Sequence, residues 1–309
     1  MGRYILQRFG YMIITLFLIA TFTFFLMKLL PGSPLTNQEK LTPEQKEVIL
    51  EKYGLNDPVP VQYFNYMKNL VQGDLGISFK YDNRPVTELI NTRIGPSAQL
   101  GFQALVLGTT IGLLLGIVAA LRNNTWMDYS ATVISVIGIS VPSFVFAALL
   151  QFYVGVKMGW LPVAFWKGFE YTIMPTIALS ASVTATIARF TRTELLEVMA
   201  SDYILTAKAK GVSQVGIIIK HALRNALIPV ITILGPMAVN LMTGTLVIER
   251  IFSVPGLGEQ FVQSITVNDY TVIMGTTIFY SALFVLVIFA VDLLYGVVDP
   301  RIRLAGGKK

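Results

Sequence analysis

The chain reads as an all-α integral membrane protein with six transmembrane helices and a small helical segment outside the membrane after the first span. Three observations predict this. The 309 residues are 54% hydrophobic and only 14% charged, whereas soluble domains run at about 45–50% apolar and about 25% charged. The apolar residues come in blocks of twenty or more, long enough to cross a bilayer. The one long polar stretch, Gly32 to about Pro96, sits between the first two blocks.

The first span runs from about Phe9 to Leu30, behind Arg3 and Arg8, and is closed by Pro31, Gly32 and Pro34. It is too long for the apolar core of a signal peptide and ends in bulky Leu and Pro, so it is read as a retained anchor. Further spans follow at about Ala98–Leu121, Tyr129–Val156, Ile173–Thr193, Leu227–Ile248 and Val272–Val298. An even number of spans leaves both termini on one side. The expected organisation is therefore 1–30 as N-terminal end and first span, 31–97 as outer segment, 98–299 as a five-helix core with an inner loop at 194–226, and 300–309 as a tail.

Charge decides the side. Arg3, Arg8, Arg122, Arg189, Arg192, Lys208, Lys210, Lys220, Arg224, Arg301, Arg303, Lys308 and Lys309 fall together, against Lys157, Lys167 and Arg250 in the two short opposite loops. Positively charged loops stay in the cytoplasm, so both termini are expected there. The net charge of +6 is then an orientation signal, with anionic lipid as its partner, and not a nucleic-acid footprint, because no aromatic platform is interleaved with the basic residues.

Within the outer segment, Thr42-Pro43-Glu44-Gln45 reads as a helix start, giving a short helix over Pro43–Tyr53 with Gly54 as its stop. A second helix is expected over Val61–Val71, stopped by Gly73, and a third from Pro85 toward Arg93. Acidic and basic residues nearly balance there. A structural lid over the spans and a docking surface for a partner are equally open.

In the second span Gly108, Gly112 and Gly116 form a repeated small-xxx-small ladder, expected at a helix packing face. Pro142 in the third span and Pro236 in the fifth are expected to kink or weaken their helices. Hydroxyl and amide side chains such as Gln151, Thr176, Ser180 and Thr245 add a moderately polar interior, and Ser143, Asn240 and Thr243 are the candidates to line a path. Asp292 is taken as the one carboxylate inside a span, near its cytoplasmic end, so the spans lack the carboxylate or histidine chain of a proton pump.

No catalytic residue and no metal site is proposed. There is no cysteine and a single histidine, His221, in a basic stretch. Gly-Lys occurs once, as Gly307-Lys308 followed by Lys309, so the chain has no phosphate-binding loop of the Gly-x-x-x-x-Gly-Lys-Ser/Thr type. It also lacks His-Glu-x-x-His and Gly-x-Ser-x-Gly. A driving force for transport has to come from elsewhere.

The stretch Glu194–Pro229 is long for an inner loop. Its Asp202-Tyr203, then Thr206-Ala207-Lys208-Ala209-Lys210-Gly211, then His221-Ala222-Leu223-Arg224-Asn225-Ala226, describe a short helix with small residues at Ala207 and Gly211, suited to a groove on a cytoplasmic partner. This resembles the membrane subunits of binding-protein-dependent ABC importers, whose loop carries a Glu-Ala-Ala…Gly motif. The leading positions fall on Leu205, Thr206 and Ala207 and the glycine on Gly211. No glutamate leads, and Arg224 stands where the pattern closes with proline. The variant resembles the oligopeptide, dipeptide and nickel branch. So do Leu30-Pro31-Gly32-Ser33-Pro34, Gly73-Asp74-Leu75-Gly76-Ile77-Ser78 and Glu249-Arg250-Ile251-Phe252-Ser253-Val254-Pro255-Gly256-Leu257-Gly258 with Asp269-Tyr270. The loop after the first span resembles that of the first of the branch's two permease subunits.

The resemblance implies the type I importer architecture in a bacterial cytoplasmic membrane. It implies a heterodimer with a second permease subunit, two ABC ATPase subunits that bind ATP and Mg, and an extracytoplasmic peptide-binding protein. The chain would bind no cofactor of its own. It would carry oligopeptides through half of a translocation path, with dipeptides, a nickel chelate or glutathione as alternative cargo. An ATP-independent secondary transporter or channel is the rival class. Asp202, Tyr203, Thr206, Ala207, Lys208, Ala209, Lys210 and Gly211 would form the coupling helix that docks on an ATPase.

Overall fold

In a computed structural model the described residues are 2–29, 42, 44, 47, 50–51, 54–243 and 245–298. Among them the chain is helical throughout, apart from turns and a single bridge between Ile77 and Pro85. Five helical runs are long and apolar enough to cross a membrane, and a sixth candidate is a sharply bent pair of helices. The chain divides into two compact units, Met1–Ile94 with Gln260–Lys309, and Gly95–Glu259.

In the first unit, α1 (Gly2–Leu29) packs against the last helix, α11 (Tyr270–Val298). Helix α2 (Val59–Val71) matches the expected second outer helix, starting on Pro58 and followed by Gly73 at φ +79°. Its aromatic face meets the end of α1: Phe24 stacks on Tyr66 and Phe25 on Tyr63, and a 2.7 Å hydrogen bond joins the Thr21 and Tyr63 hydroxyls. The helix expected over Pro43–Tyr53 lies largely outside the described residues, though Glu44, Glu47, Leu50 and Glu51 are helical.

The third outer helix is not a separate element. It is the start of α3 (Val86–Leu121), a 36-residue helix that continues through Pro96. At 1.5 Å per residue it spans about 54 Å, well beyond a hydrocarbon core of about 30 Å. The boundary expected at 97/98 thus falls inside a helix.

A tight turn precedes α3. Asp82 and Asn83 both take positive φ, Arg84 N–H reaches the Tyr81 carbonyl at 2.9 Å, and Ser78 N–H reaches the Arg84 carbonyl at 2.9 Å. The Ser78 hydroxyl donates to the carboxylate of Asp269, which is fully buried and accepts from Val272 N–H at the first turn of α11. This couples the outer turn to the last span. Asp269→Ala is expected to destabilise the chain by about 2 kcal/mol, because it removes a helix cap and leaves the Ser78 hydroxyl buried without its acceptor. Thermal unfolding of the purified protein in detergent reads this out, and an unchanged midpoint would disprove it.

The second unit is built around α6 (Glu170–Met199), whose buried face includes Met174, Ala178, Leu179, Val183 and Ile187. On α3, a Cβ placed on Gly108, Gly112 or Gly116 would lie 2.6–2.8 Å from Val183, Ile187 or the Ala188 carbonyl. Only glycine lets the two backbones approach so closely. Helix α4 (Trp126–Ser140) packs on α6 through Gly138, next to Ala181 and Ala185.

The third apolar block breaks more sharply than the expected kink. Helix α4 ends at Ser140, Val141 is extended at ψ 118°, and α5 (Ser143–Leu150) leaves at 99° with its π-helical continuation Gln151–Lys157. Proline disfavours a helical conformation in the residue before it and donates no hydrogen bond, so the chain turns where Val141 meets Pro142. The opposite holds at Pro236: α8 (Leu223–Met242) runs through Pro229 and Pro236 without a break, and its end comes at Thr243.

Polar side chains of the apolar helices mostly bond their own backbone. Ser180, Ser182, Thr186 and Thr243 donate to carbonyls three or four residues back. Two reach across. Thr176 donates to Gln103 at 2.9 Å, and Gln151 donates to the carbonyls of Val163 and Ile251 at 3.0 and 2.9 Å.

Candidate functional site

Helix α6 ends at Met199, and after Ala200 and Ser201 the chain starts α7 (Asp202–Ala209), which covers most of the expected coupling helix. The helix is short, so tertiary contacts hold it. Ile204 and Ala207 are buried among Leu195, Ile217, Ala222 and Ala226. Asn225 donates to the Tyr203 hydroxyl at 2.8 Å. At the other end Gly211, at φ +75°, closes a Schellman motif: its N–H reaches the Lys208 carbonyl at 3.0 Å, and Val212 N–H reaches that of Ala207 at 3.2 Å.

This anchoring reassigns one residue. Ala207 faces inward and leaves no surface saddle, because spacing alone cannot say which face of a short helix the rest of the chain covers. The exposed face carries Asp202, Tyr203, Leu205, Thr206, Lys208, Ala209 and Lys210, with Gly211 beyond it. Leu205 is 63% exposed, a large apolar side chain on a helix otherwise rich in charge. A Cβ at Gly211 would meet nothing within 4 Å, so this position is open to a neighbour.

Just before α7, α6 is tied to α4 by an ion pair that sequence reasoning missed. Arg192 donates from Nε and Nη2 to the buried Asp128 carboxylate at 2.5 and 2.8 Å, and from Nη2 to Asn123 at 3.2 Å. Asp128 also accepts from Asn124 N–H at 2.9 Å. From the sequence alone Arg192 reads only as an orientation charge. The available signal was Asp128 itself, a carboxylate at the edge of an apolar block.

A second buried carboxylate corrects the view that Asp292 is the one acid inside a span. Glu249, on α9 (Leu246–Ile251), lies within the fifth apolar run and is 1% exposed. It accepts from Ser97 Oγ at 2.7 Å and from Glu259 N–H at 3.0 Å, at the start of α10 (Leu257–Thr266). Ser97 Oγ in turn accepts from Leu257 N–H at 2.8 Å. The side chain of Asp292 lies outside the described residues. The path candidates sit on two elements: Ser143 opens α5, while Asn240, exposed, and Thr243 stand at the end of α8. Among the described residues no group of three or more His, Asp or Glu side chains could hold a metal ion.

Residues 112–304 match the family model described as the binding-protein-dependent transport system inner membrane component, and residues 1–95 match the model of its N-terminal part. The chain belongs to this family. It is thus a multi-pass permease subunit of a binding-protein-dependent ABC importer, a machine in which a partner permease and ATPase subunits complete the assembly. This permease is 49% identical over 304 residues to the dipeptide transport system permease protein DppB of Lactococcus lactis, across 98% of the chain and all of that protein. It is 43% identical to the oligopeptide transport system permease protein OppB of Salmonella typhimurium, again across 98% of the chain and all of that protein. A chain of the MetNI methionine ABC transporter in an inward-facing conformation shares its fold, with a TM-score of 0.58 at 19% identity, covering 68% of this permease and 96% of that chain.

Proposed function

We propose that this permease subunit imports short peptides, forming half of the translocation path beside a different permease subunit. The observation that carries the cargo assignment is the likeness to dipeptide and oligopeptide permeases along nearly the whole chain. The higher identity is to a dipeptide permease, so dipeptides join the oligopeptides expected from sequence as cargo. An extracytoplasmic peptide-binding protein delivers them, and the outer segment of residues 31–97 faces it. Both termini and α7 lie in the cytoplasm, in keeping with the charge asymmetry. ATP and Mg bind to the two ATPase subunits.

In this reading the exposed face of α7 docks in a cleft of one ATPase. Its buried face, through Ile204 and Ala207, passes the ATPase movement to α6 and α8. Ser143, Asn240 and Thr243 line the path.

The test is ATP hydrolysis and peptide uptake by the importer assembled from all its subunits in proteoliposomes. Leu205→Asp is expected to leave stability within about 0.5 kcal/mol, as for an exposed site, while uptake falls and ATP hydrolysis continues. Gly211→Arg is expected to have the same effect on uptake and hydrolysis, at a backbone-strain cost of about 1 kcal/mol for a side chain at positive φ, with Gly211→Ala as the control that carries the strain alone. If Gly211→Arg transports normally, the docking assignment is wrong. If the assembled wild type takes up no peptide, the cargo assignment is wrong.

A further inference from the structure

In the first unit, the ends of α1 and α2, the loop 74–79 and the start of α11 line an open cleft of about 580 Å³. Ligand pockets commonly measure about 300–1,000 Å³. Its wall carries both signs of charge. Lys28 points its ammonium at Gln62 Oε1 and lies 5.6 Å from the centre of the Phe24 ring, and among the described residues no carboxylate comes within ion-pair distance of it. Asp74 uses one carboxylate oxygen to accept from Gly76 N–H at 2.8 Å. The Tyr66 hydroxyl is buried without a hydrogen-bond partner among the described residues. Burial and the neighbouring Tyr63 push that phenol up to about 12, so it stays a neutral donor at any working pH. Asn65 and Asn69, one turn apart on α2, add two carboxamides.

We propose that this cleft binds small zwitterions, namely short peptides passing to or from the binding protein, with Lys28 and Tyr66 taking the carboxylate end and Asp74 the ammonium end. The inference rests on the peptide reading above. A phosphatidylethanolamine headgroup shares the paired charges, but it has no backbone amide to use Asn65 and Asn69. The peptide is therefore the better match. A purely anionic ligand would be repelled by Asp74.

The experiment uses the assembled importer in nanodiscs, without binding protein, and equilibrium dialysis of radiolabelled Ala-Phe, its N-acetyl form and its C-terminal amide. Lys28→Met is expected to weaken Ala-Phe about tenfold and to leave the amide unchanged, since a charge-assisted hydrogen bond is lost only where a carboxylate is present. Asp74→Asn should weaken Ala-Phe and spare the N-acetyl form. Tyr66→Phe breaks no bond of the protein and should still weaken Ala-Phe about threefold or more.

No binding to the wild type, variants within twofold of it, or equal losses for all three peptides would overturn the proposal. So would variants that change only the retained phosphatidylethanolamine or only the affinity for loaded binding protein. These outcomes stand apart from the cargo assignment itself, which fails only if the wild-type importer with its binding protein takes up no peptide.

Discussion

Arg192→Met is expected to lower the stability of the chain by about 2–3 kcal/mol, because removing the part-exposed arginine leaves the buried Asp128 carboxylate without its cation. Asp128 shows 3% of its side chain to solvent and receives two hydrogen bonds from the guanidinium. After the substitution it keeps the bonds from Asn124 N–H and the Thr132 hydroxyl, neither of which carries a charge. Methionine preserves much of the arginine stem, so the loss isolates the charge and not the packing. Arg192→Lys retains the cation but cannot supply the two-pronged contact, and it should fall between wild type and Arg192→Met. The diagnostic variant is Asp128→Asn combined with Arg192→Met, which removes both charges and should recover part of the loss. Thermal unfolding in detergent measures all four proteins. If the double variant is no better than Arg192→Met, the pair is not what holds α4 to α6.

The contrast between this pair and the spans shows what hydropathy can see. Blocks of apolar residues mark where helices cross, because lipid forces every backbone group to bond within its own segment. They carry no angle. Nothing in the composition of 129–156 separates a kink at Pro142 from the observed 99° turn, whereas the glycine ladder of α3 was readable because a period of four already places its members on one face. Buried carboxylates were missed for a different reason. Asp128 finds its partner 64 residues along the chain, Glu249 finds Ser97 at a separation of 152, and Asp269 finds Ser78 at 191. Such pairings exist only once the helices have met. Of the coupling helix, place and ends were legible from Asp202 and Gly211, but the inward turn of Ala207 depended on what α6 and α8 cover. Two of the segments that carry the family resemblance, 73–78 and the one at Asp269-Tyr270, prove to be physical neighbours. Gly76 and Ser78 meet Thr271 and Asp269, and Glu249 folds back over Gly256 within one segment.

That last contact carries the other large effect. Gly256→Ala is expected to cost about 3 kcal/mol, at the upper end for overpacking a tight core, because the added Cβ would lie 2.2 Å from the Glu249 carboxyl carbon and 2.3–2.5 Å from its oxygens. The carboxylate cannot simply move aside. It is held by Ser97 Oγ and Glu259 N–H, and leaving that position strands a buried polar group without its partners. Glu249→Ala should also destabilise, since Ser97 and the first turn of α10 lose their acceptor. The two substitutions act on one space, so they should not add. Glu249→Ala with Gly256→Ala removes the clash together with the side chain that suffers it, and the new methyl enters the room vacated by the carboxylate. The double variant is expected to be more stable than the sum of single effects by about 2 kcal/mol, within the range for residues in direct contact. Strict additivity of the unfolding midpoints would mean that Glu249 does not lie over Gly256, and the tie between α9, α10 and Ser97 would have to be abandoned with it.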